Sequence, residues 1–462
     1  MADLIIRNGY VLTMDGERRI LADGAVAIAG NRIAAVGPSA DILAAHRAEH
    51  VIDATDKIVM PGIVDGHNHP YSYLFGGAGD DMGIFDVLYR RFYPYEVHIS
   101  EEEAYWGCLA NYATMIRNGT TCFNDPGGYH VDALARAAVD SGIRGIVNRS
   151  TRDIAPPGKP VPRELFDSLD DNLRAGEEVV RKWHGAADDR IRAWFSLRYV
   201  FNVSDELALG IGALARRHGV GIHAHAAAVK GENELVQEIF GKRSLERYHD
   251  LGLFGPNLYL VHMGYPSERE VEWLRQHDVK VAHCPTAAMT GAWGVIVNKM
   301  IPYMIDRGIA VSLGTDTNGA AGMIDMFRVI YAFAGIHRDV HDDPTLIGAH
   351  RALEHATIVG ARACLWDDQI GSLEVGKKAD LILVDWGELE WLCPARDPVR
   401  ALVYGTSGNY VDTVVIDGRV VMAGRELTLV DEAELKRRVL AVGRDWPRRA
   451  GFAVAPDWPV VA

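Results

Sequence analysis

Apolar and polar positions divide the chain into three textures. The first sixty residues mix short apolar alternation with Gly and Asn-Gly turn signals in DLIIRNGYVLT, GAVAIAGNRIAAVG and HVIDATDKIVMPG, the pattern of short strands joined by tight turns. The same texture returns near the end in GSLEVGKKADLILVDW and VDTVVIDGRVVMAGREL. These flanks predict one small β-sandwich domain built from residues 1–60 and 370–430. Between them, over 61–369, continuous apolar runs alternate with amphipathic stretches. GIVDGHNH, GTTCFND, GIRGIVNRS, IRAWFSLRY, VGIHAHA, NLYLVHMG, VKVAHCP and AVSLGTD give eight strand candidates. VDALARAAVDSG, SDELALGIGALARRHG and SEREVEWLRQHD carry the helical period. Apolar strands alternating with helices signal a parallel sheet covered on both faces. Eight such units in about 250 residues is the size of a (β/α)8 TIM-like barrel. An open doubly wound sheet is the alternative. Polar residues at the C-terminal ends of the strands favour the barrel, which gathers its site there. The expected class is therefore α/β. Residues 431–462 start helical, with Lys436, Arg437 and Arg438, and end Pro-rich; this C-terminal extension is expected to fray.

Composition narrows the partners. The chain has 462 residues, 48% of them hydrophobic and 24% charged, which excludes disorder as the main state. A net charge of −14 excludes a general binder of nucleic acid or anionic membrane. Cys108, Cys122, Cys284, Cys364 and Cys393 are scattered without a CxxC pair, which fits a reducing cytoplasm. Asp3 and Arg7 interrupt the first apolar run, unlike a secretory signal. No run reaches the roughly 18 apolar residues of a membrane span. The expectation is a soluble cytoplasmic protein with a small-molecule partner.

His67 and His69 end the first barrel strand two residues apart, so both imidazoles point to one side. An HxH pair alone is a weak signal. His225 ends the fifth strand, His262 the sixth and Asp316 the eighth, and all would project into one barrel mouth. Imidazoles with a carboxylate suit a hydrolytic Zn²⁺, Fe²⁺ or Co²⁺ site.

PGIVDGHNHP (61–70), IRNGTTCFND (116–125), VSLGTD (311–316) and GSLEVGKKADLILVD (371–385) carry a family resemblance that spans nearly the whole chain. The sequence resembles the amidohydrolase superfamily, in the branch of cytosine, guanine and methylthioadenosine deaminases and triazine hydrolases. The resemblance implies His67, His69, His225 and Asp316 as ligands of one divalent metal, zinc first, with iron, cobalt or manganese as alternatives. It implies Asp316 as general base and His262 as the residue that orients water and substrate. It also implies homo-oligomers. The fourth strand ends Ser196-Leu197-Arg198-Tyr199, with no bridging lysine, which points to a single metal; Arg198 stands where purine-processing relatives hold substrate.

One departure shapes the functional reading. Relatives that deaminate rings read His-x-x-Glu at the fifth strand, and the Glu shuttles protons. Here the position is Ala228, which cannot exchange a proton. Lys230, Glu232 and Glu234 are expected to sit solvated on the next helix. The loss favours C–N hydrolysis of a small non-peptide amide, urea, carbamate or thiocarbamate. The alternatives are an aminohydrolase of a heteroaromatic ring and a catalytically silent scaffold. His223 is expected to pack or support a ligand, and His283 to serve at the mouth. Phe85 and Tyr89 of the segment after the first strand, with Trp293 in a Gly-rich turn, are candidate lining residues of an apolar pocket.

Overall fold

The computed structural model describes residues 2–318, 322–387, 397–452, 456 and 458–461; Cys393 lies outside them. Both chain ends enter one sheet. Its N-terminal strands are β1 (Ala2–Leu12), β2 (Ile20–Ala29), β3 (Arg32–Pro38), β4 (Ala48–Asp53) and β5 (Lys57–Pro61). The eight apolar runs of the middle form β6 (Ile63–Asp65), β7 (Thr120–Asn124), β8 (Arg144–Thr151), β9 (Ile191–Tyr199), β10 (Ile222–Ala226), β11 (Leu258–His262), β12 (Lys280–His283) and β13 (Val311–Leu313). The C-terminal strands are β14 (Leu381–Asp385), β15 (Val411–Ile416), β16 (Arg419–Ala423) and β17 (Glu426–Leu427).

Strands β6 to β13 lie side by side in chain order, all parallel. The first and last then meet. Gly66 N–H donates to Leu313 O at 2.8 Å, and Asp316 N–H donates to His67 O at 2.8 Å. This seam decides for a barrel over an open sheet. It also explains Gly314, where a Cβ would stand 2.7 Å from His67 O. The amphipathic stretches become the helices Val131–Ser141, Asp205–His218 and Glu268–Gln276. The last two begin at Ser204 and Ser267, whose side chains accept from Leu207 N–H and Glu270 N–H.

The end domain is a nine-stranded mixed sheet in the order β17-β16-β15-β14-β5-β1-β2-β3, with β4 also on β1. Strand β5 is the joint: it pairs parallel with β1 through Tyr10/Ile58 and antiparallel with β14 through Met60/Ile382. Arg144, at the start of β8, ties this sheet to the barrel. Its buried guanidinium donates from Nε and Nη2 to Asp380 at 2.6 and 3.1 Å, and reaches Asp417 at 3.1 Å. Such a fork holds both orientation and charge.

The C-terminal extension does not fray over its described helical part. Helix Glu432–Val442 is capped by Asp431 and joined to Arg117 through Glu432 at 2.7 Å. Leu435 and Trp446 are buried. Apolar anchors spaced along a short helix outweigh the fraying expected of a chain end.

Candidate metal centre and active site

The barrel seam assembles the site. His67 and His69 follow β6, and Asp316 follows β13 directly across from them. Asp65 staples the two strands: its carboxylate accepts from His67 N–H at 3.2 Å, Thr315 N–H at 3.1 Å and the Thr315 hydroxyl. The backbone at Asp316 and His262 is left-handed, with φ of 66° and 77°. Non-glycine residues adopt this region at a cost that the surroundings must repay, and it turns both side chains inward.

The structure brings His67, His69, His225, His262 and Asp316 together. One ligand atom from each of His67, His69 and His225 lies within 4.8 Å of the others, and the same holds for His67, His262 and Asp316. Asp316 Oδ1 is 3.5 Å from His67 Nε2 and 3.6 Å from His69 Nε2. All five side chains are buried.

Hydrogen bonding sets two of the imidazole tautomers. His225 Nδ1 faces the carbonyl oxygen of Arg198 at 2.6 Å. A carbonyl only accepts, so Nδ1 carries the proton and Nε2 keeps its lone pair. At His67 the relay is longer. Asn124 Oδ1 accepts from His223 Nδ1 at 3.0 Å, so His223 Nε2 accepts from His67 Nδ1 at 3.0 Å. His67 Nε2 is then a buried lone pair without a hydrogen-bond partner. An orphaned buried acceptor in this donor set fits a divalent cation. Burial, then Arg198, pushes the His67 pKa down to about 3, and burial pushes His262 to about 3, so both rings are neutral. Burial raises the Asp316 carboxyl above its ordinary value. Asn124 lies in the IRNGTTCFND stretch but has no role assigned to it from sequence. The apolar run that contains it, and its place at a strand end, are the signals that could have found it.

A narrow pocket opens over these groups. Arg198 and Trp293 line it, and Trp293 stands edge-on to His262 with centroids 4.9 Å apart. The covering segment differs from expectation. Ile84, Val87, Leu88 and Phe92 face the pocket at helical spacing. Phe85 and Tyr89 occupy the neighbouring stripe, stacked on each other at 6.0 Å, and do not line it. His283 also lies outside the lining. Its ring turns to the helix Met326–Val340, where its Nε2 is 3.2 Å from His337 Nε2. Glu96 stands unforeseen behind the pocket wall, next to Arg198. Its buried carboxylate accepts from the Tyr71 hydroxyl at 2.7 Å and Arg152 Nη2 at 2.8 Å, and lies 4.0 Å from Arg198 Nη2. Burial pushes its pKa up, but Arg152, Arg198 and Tyr71 outweigh that, and the group stays ionised.

The family model described as "Amidohydrolase family" matches residues 58–421. The chain belongs to the amidohydrolase family. A shorter match, to an imidazolonepropionase-like composite domain, covers 24–48. The amidohydrolase is 33% identical over 450 residues to a 5'-deoxyadenosine deaminase of Methanosarcina acetivorans, covering 97% of this chain and 100% of that one. It is 33% identical over 443 residues to a 5-methylthioadenosine/S-adenosylhomocysteine deaminase of Syntrophobacter fumaroxidans, covering 96% and 98%. The crystal structure of an adenosine deaminase from Xanthomonas campestris with bound zinc superposes with a TM-score of 0.88 at 30% identity, covering 97% of this chain and 98% of that one. The protein is thus a metal-dependent hydrolase of C–N bonds, and its site fits one divalent metal, zinc first.

In this amidohydrolase the fifth-strand neighbourhood corrects one expectation. Lys230 and Glu234 are exposed and paired with each other at 3.7 Å. Glu232 is not solvated. It is buried, and its two oxygens accept from Ala227 N–H at 3.0 Å and Ala228 N–H at 2.8 Å. Both backbone donors left free by the turn after β10 need acceptors, and Glu232 is one helical turn away to supply them. It does not line the pocket.

Proposed function

We propose that this amidohydrolase cleaves the C–N bond of a small, largely apolar amide, urea, carbamate or thiocarbamate and releases an organic amine. The observation that carries the reading is Ala228: apart from His225, which would be taken up by the metal, the fifth strand and its turn bring no titratable side chain to the pocket, and Glu232 is committed to the backbone. Attack on a ring carbon needs a proton placed on the ring nitrogen, whereas an acyl carbon needs only its oxygen stabilised. The lining of Ile84, Val87, Leu88, Phe92 and Trp293 suits an apolar body.

His67, His69, His225 and Asp316 would hold one divalent cation. Bound there, it supplies Lewis acidity and draws the pKa of water from about 15.7 toward about 7. Asp316 accepts a proton from the attacking water on its carboxylate and returns it to the leaving nitrogen. His262, neutral and facing the same space, donates to the oxygen on which charge develops. Arg198 holds a substrate oxygen, and Trp293 packs against the apolar body. Four described cysteines that are buried and unpaired support a cytoplasmic setting. No helix among the described residues is long and apolar enough to cross a membrane. Assembly as a homo-oligomer rests on the family resemblance, and light scattering tests it.

A second reading, an aminohydrolase releasing ammonia from a heteroaromatic ring, is favoured by the names of the deaminase relatives. Products separate the two. A panel of N-aryl amides, ureas and carbamates beside adenosine analogues, scored with the zinc-loaded enzyme, should give amine without ammonia; ammonia with an oxo-ring would replace the first reading by the second. Under the first reading, Ala228→Glu should gain ammonia release while losing amine release.

A further inference from the structure

The short helix Tyr93–His98 stands between the pocket and the C-terminal extension. Its Glu96 lies behind the pocket wall, where it anchors Arg152 and approaches Arg198. Phe92, one residue before it, lines the pocket with its ring 5.6 Å from that of His69. On the other side Trp446 meets Tyr95 edge-on at 4.8 Å and Phe75 at 5.9 Å. Phe75 and Tyr95 in turn pack on Phe92 at 5.5 and 6.3 Å. Arg449 grips Glu103 at 2.5 and 2.7 Å and donates to the carbonyl of His98, the last residue of the helix, at 3.1 Å. Phe452 closes the cluster on Trp446 at 5.3 Å, beneath Arg91.

The segment Tyr93–His98 ends a continuous helical run that begins at Ile84, and a run of this length is at the margin of what holds a helix by itself. The run is weakened inside by the π-helical turn Leu88–Phe92 and by Pro94, which lacks a backbone donor. Its position therefore depends on what packs against it. Trp446 is 4% exposed although the four-residue helix Trp446–Arg449 that carries it lies on the surface. Trp446 joins the edge of the main hydrophobic core through Phe75 and Tyr95. It braces the rings behind Phe92.

We propose that the C-terminal extension is a positioning element of the substrate pocket, in which Trp446 and Arg449 fix helix Tyr93–His98 and, through it, the Phe92 ring and the Glu96 carboxylate that orients Arg198. Trp446 and Arg449 touch neither substrate nor metal, so they act on binding through these intermediaries. The inference rests on the reading of Arg198 and Phe92 as substrate-facing.

The test uses the full-length zinc-loaded enzyme and the variants Trp446→Ala, Trp446→Phe and Arg449→Ala. Hydrogen exchange should accelerate roughly tenfold across 84–98 in Trp446→Ala and Arg449→Ala, with β8 and β9 unchanged. For a panel substrate that the parent enzyme turns over, KM should rise roughly tenfold with kcat and zinc content nearly constant, since a displacement of about 1 Å in a positioning group is enough for such a loss. Trp446→Phe should restore both readouts. Unchanged exchange across 84–98 overturns the proposal. So does a lowered Tm with KM unmoved, which would make the extension a stabiliser of the fold alone. The exchange measurement needs no substrate, so an unproductive panel counts against the proposed function and leaves the brace judged by exchange.

Discussion

Two sides of the barrel mouth are held in different ways. On the seam side, His67, His69 and Asp316 are fixed by backbone hydrogen bonds between the first and last strands and by the buried Asp65–Thr315 pair. On the covering side, the Phe92 ring and the guanidinium of Arg198, whose backbone belongs to β9, are set by side chains: Glu96, a cluster of rings, and an extension from the far end of the chain. Backbone ladders tolerate side-chain change elsewhere, whereas a side-chain scaffold moves with each of its members. Chemistry in this protein is therefore built on the rigid side, and recognition on the adjustable one.

The sharpest way to break that division is Asp316→Asn, which keeps the shape of the seam and removes the proton acceptor. Turnover should fall by about 10³–10⁴-fold with Tm and circular dichroism retained; turnover near that of the parent would remove Asp316 from the chemistry. Next comes the support behind the seam. Asn124→Ala or His223→Ala frees the His67 ring and should weaken zinc about 10–100-fold in chelator competition, while Phe92→Ala should leave zinc affinity unchanged. Equal effects from both sides would erase the distinction. Glu96→Gln attacks the covering side by leaving Arg152 and Arg198 without their shared countercharge. It should raise KM roughly tenfold with zinc binding intact.

The smallest effect concerns stability. Burial raises the Glu232 carboxyl from its ordinary 4.5 to about 7, against the opposing pull of two backbone donors. A carboxyl raised on folding favours the folded state while it is protonated. Its contribution is complete below pH 4.5 and is lost as pH rises through about 7. Glu232→Gln should flatten the Tm–pH profile across that window, and an unaltered slope would show that other groups carry it. Asp65 and Asp125, raised by burial to about 7 and about 8, lose stability in the same direction.

The barrel strands were legible because each is an apolar run closed by a polar residue; His67, His69, His225, His262 and Asp316 among these converge, whereas His283 turns away. Glu96 was not legible. Nothing in YPYEVH distinguishes a carboxylate buried between two arginines from one in solvent, because its partners Arg152 and Arg198 come from other strand ends. Helical spacing alone does not say which stripe of 84–93 meets the pocket; Ile84, Val87, Leu88 and Phe92 do, and Phe85 and Tyr89 lie on the neighbouring stripe. The extension looked frayed because Leu435 and Trp446 are too sparse to form a pattern; only the rings of Phe75 and Tyr95 give Trp446 a place.

Strand β5 lies between β1 and β14 in the end sheet. During synthesis its first partner is already made, but the second begins at Leu381, 320 residues after Pro61 (381 − 61). At roughly 5–20 residues per second the edge of β5 waits tens of seconds for β14 to emerge. An unpaired edge is a template for pairing with another chain. The nascent protein must therefore complete most of its barrel while carrying an open strand, and slow or paused translation before Leu381 is the stage at which it is most exposed to aggregation.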